Sequence, residues 1–193
     1  MTPTTEPALA PRDRTATGSE VRAPQHGNGL SRRRHVQLIV VLGTLIALGP
    51  LTIDMYLPAF PKLTEDLGAS PSSVQLTLTG MLAGLAVGQL LIGPLSDAFG
   101  RRRPLLVGLV VHALASVLCA VAPNVHVLAA VRVLQGLAGA AIGVVAMATI
   151  RDLFSGVAMA RAMSRLMLVI GLAPIVAPSL GGFILEVTSW RGI

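Results

Sequence analysis

The sequence predicts an all-α protein that crosses a membrane as a bundle of helices. Of its 193 residues, 53% are hydrophobic and only 12% are charged, whereas soluble domains carry about 25% charged residues. The mean hydropathy of +0.73 also favours lipid as the surrounding solvent. Aromatic residues make up only 3% of the chain. The sequence therefore lacks the aromatic girdles of a membrane β-barrel, and its many small apolar residues are typical of closely packed membrane helices.

Residues 1–30 precede the first apolar run and are rich in Pro, Thr, Arg, Ala and Gly. No apolar period runs through them, so we predict a disordered tail on the cytoplasmic side. They do not form a secretory signal peptide, because the apolar run that follows is long enough to span a membrane and no small-residue cleavage site ends it.

Five long apolar segments follow, and we expect residues 31–193 to form one transmembrane domain. A helix rises about 1.5 Å per residue, so about 20 apolar residues cross the hydrocarbon layer. Each segment is near or above that length. The predicted spans lie near residues 36–58, 74–95, 104–122, 125–150 and 162–185.

Basic residues cluster on one side of the predicted spans. The arginines of these clusters precede span one, or lie between spans two and three or spans four and five: residues 32–34, 101–103, 151, 161 and 165. On the opposite side of the spans, the only basic residues are Lys62 and Arg191. Because cytoplasmic loops carry an excess of Lys and Arg, we expect a multi-pass protein of the bacterial inner membrane with a cytoplasmic N-terminus. The net charge of +6 is spread between apolar runs, so we expect no nucleic-acid partner.

The connection between spans two and three carries glycines, an acid and a basic cluster in a fixed order. Residues 93–104 read GPLSDAFGRRRP. Asp97 follows the end of span two, where the helix dipole disfavours an anion, so we expect it to pair with an arginine or with another helix N-terminus. Gly93 would let another helix approach, and Gly100 would permit a tight turn. A plain positively charged loop would explain the arginines but not the acid and the glycines.

Two ionisable residues, Asp54 and Arg132, fall within predicted spans. Each would cost roughly 2.5–3.5 kcal/mol at a helix centre. They lie at similar depths, about 6 Å and about 10 Å from the outer ends of spans one and four, so they could face one interior cavity. Gln135 shares a helix face with Arg132. A structural alternative is that Asp54 caps a helix and Arg132 extends to the interface. The side chains that we expect to face a substrate are Asp54, Tyr56, Met81, Gln89 and Met147.

The fifth span contains two prolines, Pro174 and Pro178, followed by Gly181 and Gly182. Each proline removes a backbone donor and bends a helix, while the small residues leave a smooth face for a neighbouring helix. A second series of small residues occurs in span two, where we predict a helix contact at Gly80, Gly84 and Gly88.

In this order, these features resemble the major facilitator superfamily. Six residues match its loop signature, G-x-L-x-D-x-x-G-R-[KR]-[KR]: Gly93, Leu95, Asp97, Gly100, Arg101 and Arg102. The acid of span one, an R-x-x-x-G element that begins at Arg132, and the prolines of span five are similar to those of the drug:proton antiporter branch. Residues 53–61, IDMYLPAFP, look especially like the Bcr/CflA-type multidrug efflux transporters.

The resemblance implies a fold of twelve helices in two six-helix halves, of which this chain supplies five helices of the first half. It implies a transporter that exports drug-like, hydrophobic or cationic compounds in exchange for protons. Asp54, Arg132 and Gln135 would then serve proton coupling and substrate recognition. A carboxylate inside the bundle can bind a proton on one side of the membrane and release it on the other, whereas arginine keeps its proton.

The resemblance also gives a role to the ends of spans four and five. Arg151 and Asp152 end span four on the inside, and Asp152 would pair with Arg101 as a cytoplasmic latch. Pro174 and Pro178 would belong to the antiporter signature of helix five, which is tied to the direction of transport. A packing kink with no directional role is the alternative.

The sequence offers no pattern for catalysis, so we expect no enzyme activity, no cofactor and no metal site. His26, His35, His112 and His126 are isolated from one another, and Cys119 is the only cysteine. No phosphate-binding glycine loop precedes a helix with lysine, and no Ser-His-Asp set falls in a credible common pocket.

The chain ends soon after span five, at residues 190–193, where a sixth helix would be expected to begin. We therefore expect a fragment that does not transport without a second half. A natural five-span protein is the alternative. Two other functions stay open: a non-transporting membrane scaffold or assembly protein, and an importer of a sugar or organic acid on the same fold.

Overall fold

The structure, a computed structural model, describes residues 31–193. The predicted tail, residues 1–30, lies outside the described residues. The described part is helical, with two short 3-10 turns at Leu57–Ala59 and Trp190–Gly192. Its α-helices are α1 (Arg32–Asp54), α2 (Phe60–Asp66), α3 (Pro71–Phe99), α4 (Arg102–Ala120), α5 (Val125–Leu153) and α6 (Gly156–Val187).

Helical structure extends beyond several of the predicted apolar segments. Helix α3 continues to Phe99, past the predicted end at residue 95, and α6 begins at Gly156 instead of 162. The apolar pattern indicates which part of a helix lies in lipid, whereas backbone hydrogen bonding decides where the helix ends. The first segment shows the opposite difference, because α1 stops at Asp54 and a 3-10 turn containing Pro58 separates it from α2.

Polar caps fix the starts of two long helices. The Ser70 side chain accepts a hydrogen bond from the Ser73 N–H at 3.2 Å, and Pro71 occupies the first turn of α3. The Asn124 side chain accepts one from the Val127 N–H at 3.0 Å at the start of α5. Both arrangements satisfy backbone donors that a helix N-terminus leaves free.

Helix α5 is the centre of the bundle. Half (50%) of the residues in an 18-residue apolar stretch of α5 are buried, against 17–22% in the corresponding stretches of the other long helices. Helices α3 and α4 pack against α5, while α1 packs mainly against α6 and also contacts α5. At Gly84 a side chain would overlap the backbone of α5, and at Gly136 it would overlap the backbone of α3. The predicted helix contact along the glycines of span two is therefore confirmed.

The outer surface of the bundle is apolar. Leu90, Leu168 and Ile175 are 78%, 71% and 70% exposed. Five helices are long and apolar enough to cross a membrane. This surface would be unfavourable in water but suits lipid, so the predicted class, an all-α transmembrane helix bundle, is confirmed.

Two buried apolar clusters lie towards opposite ends of the bundle. The cluster at what we call the Trp190 end includes Tyr56, Leu63 and Leu128 together with Trp190. We call the opposite end of the bundle, where Arg101 lies between α3 and α4, the Arg101 end. The cluster towards it is formed by Leu42, Ile46, Ala146, Ile150, Phe154, Ala162 and Leu166. Between the clusters lies a group of buried polar side chains, which forms the candidate site.

Candidate functional site

Arg132 lies inside the bundle on α5 and is only 5% exposed. Its guanidinium carbon is 3.6 Å from the centroid of the Tyr56 ring, a cation–π contact. Its Nη1 donates to the Thr52 main-chain oxygen at 3.3 Å and to Gln135 Oε1 at 3.2 Å, and lies 3.5 Å from Met81 Sδ. Its Nε is buried with no hydrogen-bond partner among the described residues. The guanidinium is therefore only partly satisfied.

Gln135 connects Arg132 to α4. It is 4% exposed, and its Nε2 donates to Ser116 Oγ at 2.8 Å. Its Oε1 accepts from Arg132 and faces Cys119 Sγ at 3.9 Å. Of the residues predicted for proton coupling or substrate recognition, the structure brings Arg132 and Gln135 into contact.

Tyr56 is packed in the protein interior. It is 1% exposed and makes an edge-on contact with Phe60 at 5.3 Å between ring centroids. Its hydroxyl lies 2.8 Å from Thr77 Oγ1, which donates its own hydrogen to the Val74 carbonyl at 2.6 Å, so Tyr56 is the donor. Tyr56 and Met81, both predicted to face a substrate, are instead buried against Arg132, because the turn after α1 and the face of α3 that carry them lie against α5.

Asp54 does not meet Arg132 in this structure. It is the last residue of α1 and is half-buried. Arg132 contacts the Thr52 carbonyl and the ring of Tyr56, which follows the end of α1, whereas the Asp54 side chain lies about 200° around α1 from that of Thr52. No ion pair joins Asp54 to Arg132 in residues 31–193. The cavity that we expected the two side chains to share is therefore absent from this arrangement.

A cavity of about 560 Å³ opens between α1, α3, α4 and α5 towards the Arg101 end. Gln89 and Met147, two of the predicted substrate-facing residues, line it, while Asp54 and Arg132 do not. At the Arg101 end it is lined by charged side chains: Asp97, Arg101, Arg151 and Asp152. Its volume falls within the range of small-molecule sites in proteins, about 300–1,000 Å³.

The loop signature lies mostly on helix α3. The residues from Gly93 to Phe99 form its last turns, and the chain reverses at Gly100, whose φ of 79° is a conformation that favours glycine. The predicted turn at Gly100 is therefore present. The close helix approach that we predicted at Gly93 is absent, because nothing lies within 4 Å of a Cβ built there. Gly93 lines the cavity, where the helices diverge, and the close approach occurs further along α3 at Gly84.

Arg101 bridges two carboxylates at the cavity mouth. Its Nη1 lies 2.6 Å from Asp97 Oδ1 and 2.8 Å from Ser96 Oγ, and its Nε lies 2.9 Å from Asp152 Oδ2. The hydrogen bond to Asp152, followed by that to Asp97, raises the pKa of Arg101 above its ordinary value. The guanidinium therefore stays charged at neutral pH, where it can hold both carboxylates. Arg102 and Arg151 are exposed.

Helix α6 runs without interruption through Pro174 and Pro178. Its closest approach to α1 occurs at Gly181, where a side chain would overlap the Met55 carbonyl. At Gly182 nothing lies within 4 Å of a built Cβ. Of this glycine pair, only Gly181 is needed for helix packing.

Sequence reasoning missed the polar partners of Arg132 and Gln135. Thr52, Ser116 and His112 belong to the same network, but each stands alone in an apolar run. Their only sequence signal is that they are polar residues within predicted spans, and a contact between separate helices cannot be read from such isolated residues.

Residues 40–193 match the sequence profile of the Major Facilitator Superfamily. The chain is 49% identical over 153 residues to the MFS-type transporter YdgK of Bacillus subtilis, which covers 79% of this chain and 38% of that protein. It is 43% identical over 155 residues to the bicyclomycin resistance protein homolog of Haemophilus influenzae, covering 80% and 39%. It is 33% identical over 162 residues to multidrug resistance protein D of Escherichia coli, covering 84% and 41%.

The chain spans roughly two fifths of the length of these relatives. The family match covers most of the described helices and includes the loop signature and the central helix that holds Arg132. The chain is therefore a multi-pass membrane protein of the major facilitator superfamily, a family of transporters and not of enzymes.

Proposed function

We propose that this chain is the amino-terminal helix bundle of a proton-coupled transporter that exports drug-like, hydrophobic or cationic compounds. Two relatives carry the names bicyclomycin resistance protein homolog and multidrug resistance protein D, which supports export of such compounds. The cavity of about 560 Å³ has room for a molecule of drug size. Gln89 and Met147 supply it with one polar and one adaptable apolar side chain.

The observation that carries the proposal is the buried, incompletely bonded guanidinium of Arg132. An ionised group inside a membrane bundle is costly, and a structural role would favour a carboxylate partner and full hydrogen bonding. Arg132 has neither in residues 31–193, because its contacts are neutral groups and its Nε is free. Such a group is held ready for a partner that arrives during the transport cycle.

We assign the proton-carrying role to Asp54. It lies at the end of α1, two residues from Thr52 and Tyr56, which both contact Arg132. When Asp54 carries a proton it has no charge to attract Arg132. When it releases the proton, the carboxylate and the guanidinium attract each other, and a rotation of α1 would bring them together. Gln135 would hold Arg132 in the other state.

We propose that the Arg101 end faces the cytoplasm of the bacterial inner membrane, as the positive-inside rule predicts. The contacts of Arg101 with Asp97 and Asp152 then form a latch that joins the α3–α4 turn to the end of α5. Both carboxylates are more than half exposed, so the latch is weak and can open. A weak latch suits a bundle that changes shape in every cycle.

We also propose that transport requires helices beyond the five described. The relatives are longer, and major facilitator proteins move two helical halves around a central site. Export by the 193-residue chain alone is therefore not expected. Pro174 and Pro178, on a helix that packs against α1, are the residues that we connect with the direction of transport.

Everted membrane vesicles test the proposal directly. Vesicles from cells that express the complete reading frame encoding this chain should accumulate ethidium when their lumen is acidified, and an ionophore that collapses the pH gradient should prevent it. Arg132→Gln should reduce accumulation to background, whereas Arg161→Gln, an exposed arginine on α6, should not. Accumulation of a sugar or organic acid by intact cells, with no ethidium movement in the vesicles, would contradict export.

A further inference from the structure

One buried titratable side chain has no part in the proposed function. His112 lies on α4, is 8% exposed, and lines the deep end of the cavity. Its Nδ1 is 3.2 Å from the Gln135 main-chain oxygen, and its Nε2 is 3.4 Å from Thr52 Oγ1. His112 therefore joins α4 to α5 and α1, at the two residues that also contact Arg132.

The hydrogens available around His112 match a doubly protonated ring. The Gln135 carbonyl can only accept, so Nδ1 carries a hydrogen. Thr52 has one hydroxyl hydrogen, and its oxygen lies 2.6 Å from the Leu48 carbonyl, which also only accepts. With that hydrogen directed at Leu48, Thr52 Oγ1 can only accept from Nε2. Both ring nitrogens are then donors, which is the arrangement of an imidazolium.

Loss of one proton from His112 would require a rearrangement at Thr52. Without its hydrogen, Nε2 becomes an acceptor facing an oxygen that offers it no donor. The Thr52 hydroxyl must then rotate from Leu48 towards the ring, or Nε2 stays unpaired in a buried site. The position of one hydroxyl therefore depends on the charge of His112.

Arg132 faces His112 across Gln135 and Thr52, and its positive charge opposes protonation of the ring. Cys119 on α4 and Tyr56 after α1 are the neutral titratable groups of the same cluster. Asp54 belongs to the other face of α1. The charged groups that share the cavity with His112 lie at its mouth: Asp97, Arg101, Arg151 and Asp152. Their charges balance one another, so burial and Arg132, which oppose a charge on the ring, compete with the hydrogen-bond acceptors, which favour it.

We propose that His112 is a second proton-binding site of this transporter, which takes its proton from water in the cavity and returns it there. Its part in coupling rests on the proposed function, whereas the binding of a proton does not. A charge on His112 repels Arg132 and weakens its contacts with Gln135 and the Thr52 carbonyl. Arg132 is then released towards a carboxylate, and Asp54 follows Thr52 closely on the same helix. His112 therefore links proton exchange at the Arg101 end to the position of Arg132.

Nitrogen NMR on the 193-residue chain in lipid nanodiscs tests proton binding. With ¹⁵N-histidine labelling, the ring signals that disappear in His112→Gln belong to His112. We expect a neutral ring with its hydrogen on Nδ1 at about pH 8 and two protonated nitrogens at about pH 5, the range in which histidine changes charge. A ring that stays neutral down to that pH overturns the proposal.

Thr52→Val supplies the matched test of the hydrogen-bond argument. It removes the acceptor of Nε2 and should move the His112 transition about one pH unit lower, as expected for the loss of one hydrogen bond to a charged group. Thr44→Val is the control, because Thr44 Oγ1 bonds the Val40 carbonyl in the same way on an exposed turn of α1. Equal transitions in the two variants would overturn the role of Thr52.

Transport assays separate this proposal from the proposed function. In the complete reading frame, His112→Gln should change the pH profile of ethidium export, while His126→Gln, on the exposed first turn of α5, should leave it unaltered. If His112 titrates but its replacement leaves the profile unchanged, the coupling role is wrong. If the unmodified protein exports nothing, the proposed function fails, and the NMR result still decides whether His112 binds a proton.

Discussion

At the scale of single residues, the central feature is an arginine placed among neutral partners. The sequence indicated that Arg132 and Gln135 act together, because two polar residues three positions apart on one helix share a face. It could not show that Tyr56 covers the guanidinium at 3.6 Å or that Thr52 offers a carbonyl, since these contacts depend on how α1 packs against α5. Similar depth in the membrane was not enough to pair Asp54 with Arg132, because depth does not determine the helix face.

The proposed role of Asp54 makes a direct prediction. In the transporter made from the complete reading frame, Asp54→Asn should reduce ethidium export driven by a pH gradient to background, because the amide cannot bind and release a proton. Efflux from preloaded proteoliposomes measures this. Glu65→Gln is the matched control, since Glu65 is an exposed acid on nearby α2, and it should retain export. Full pH-dependent export by Asp54→Asn would remove Asp54 from the coupling role.

At the scale of helices, the bundle depends on the crossing of α3 and α5. The spacing of Gly80, Gly84 and Gly88 predicted a helix contact on α3, and the structure identifies α5 as the partner, at Gly84 and Gly136. Gly93, for which a close approach was predicted separately as part of the loop signature, lies at the cavity, where no helix approaches. A spacing of small residues therefore identifies a helix face, while the crossing point depends on the angle between the helices.

The crossing can be tested with two alanine substitutions on α5. A methyl group at Gly136 would overlap the Met81 carbonyl, so Gly136→Ala should lower the free energy of unfolding by about 1–3 kcal/mol. Gly143→Ala is the control on the same helix, because nothing lies within 4 Å of a Cβ there, and its stability should not fall. Thermal unfolding of the 193-residue chain in detergent compares the two. Equal stability of both variants would show that the helices cross elsewhere.

At the scale of the whole molecule, composition and hydropathy were sufficient to predict the membrane bundle and its five long helices. The break after Asp54 was not predicted, because the apolar pattern continues across it while Pro58 ends the regular hydrogen bonding. The cavity could not be predicted either, since it results from helices that diverge towards the Arg101 end. The resulting molecule has a closed Trp190 end, a cavity at the other end, and between them a buried polar network around Arg132.

From this arrangement we expect substrate binding and proton binding to be coupled. The measurement that tests it most directly is proton release on substrate binding, followed with a pH-indicator dye in a weakly buffered solution of the purified, complete transporter. Addition of ethidium should release protons near neutral pH, because a bound cation favours the ionised form of Asp54, and Asp54→Asn should release fewer or none. Ethidium binding without any proton release between about pH 6 and pH 8, where such exchange must operate in the cell, would contradict the account.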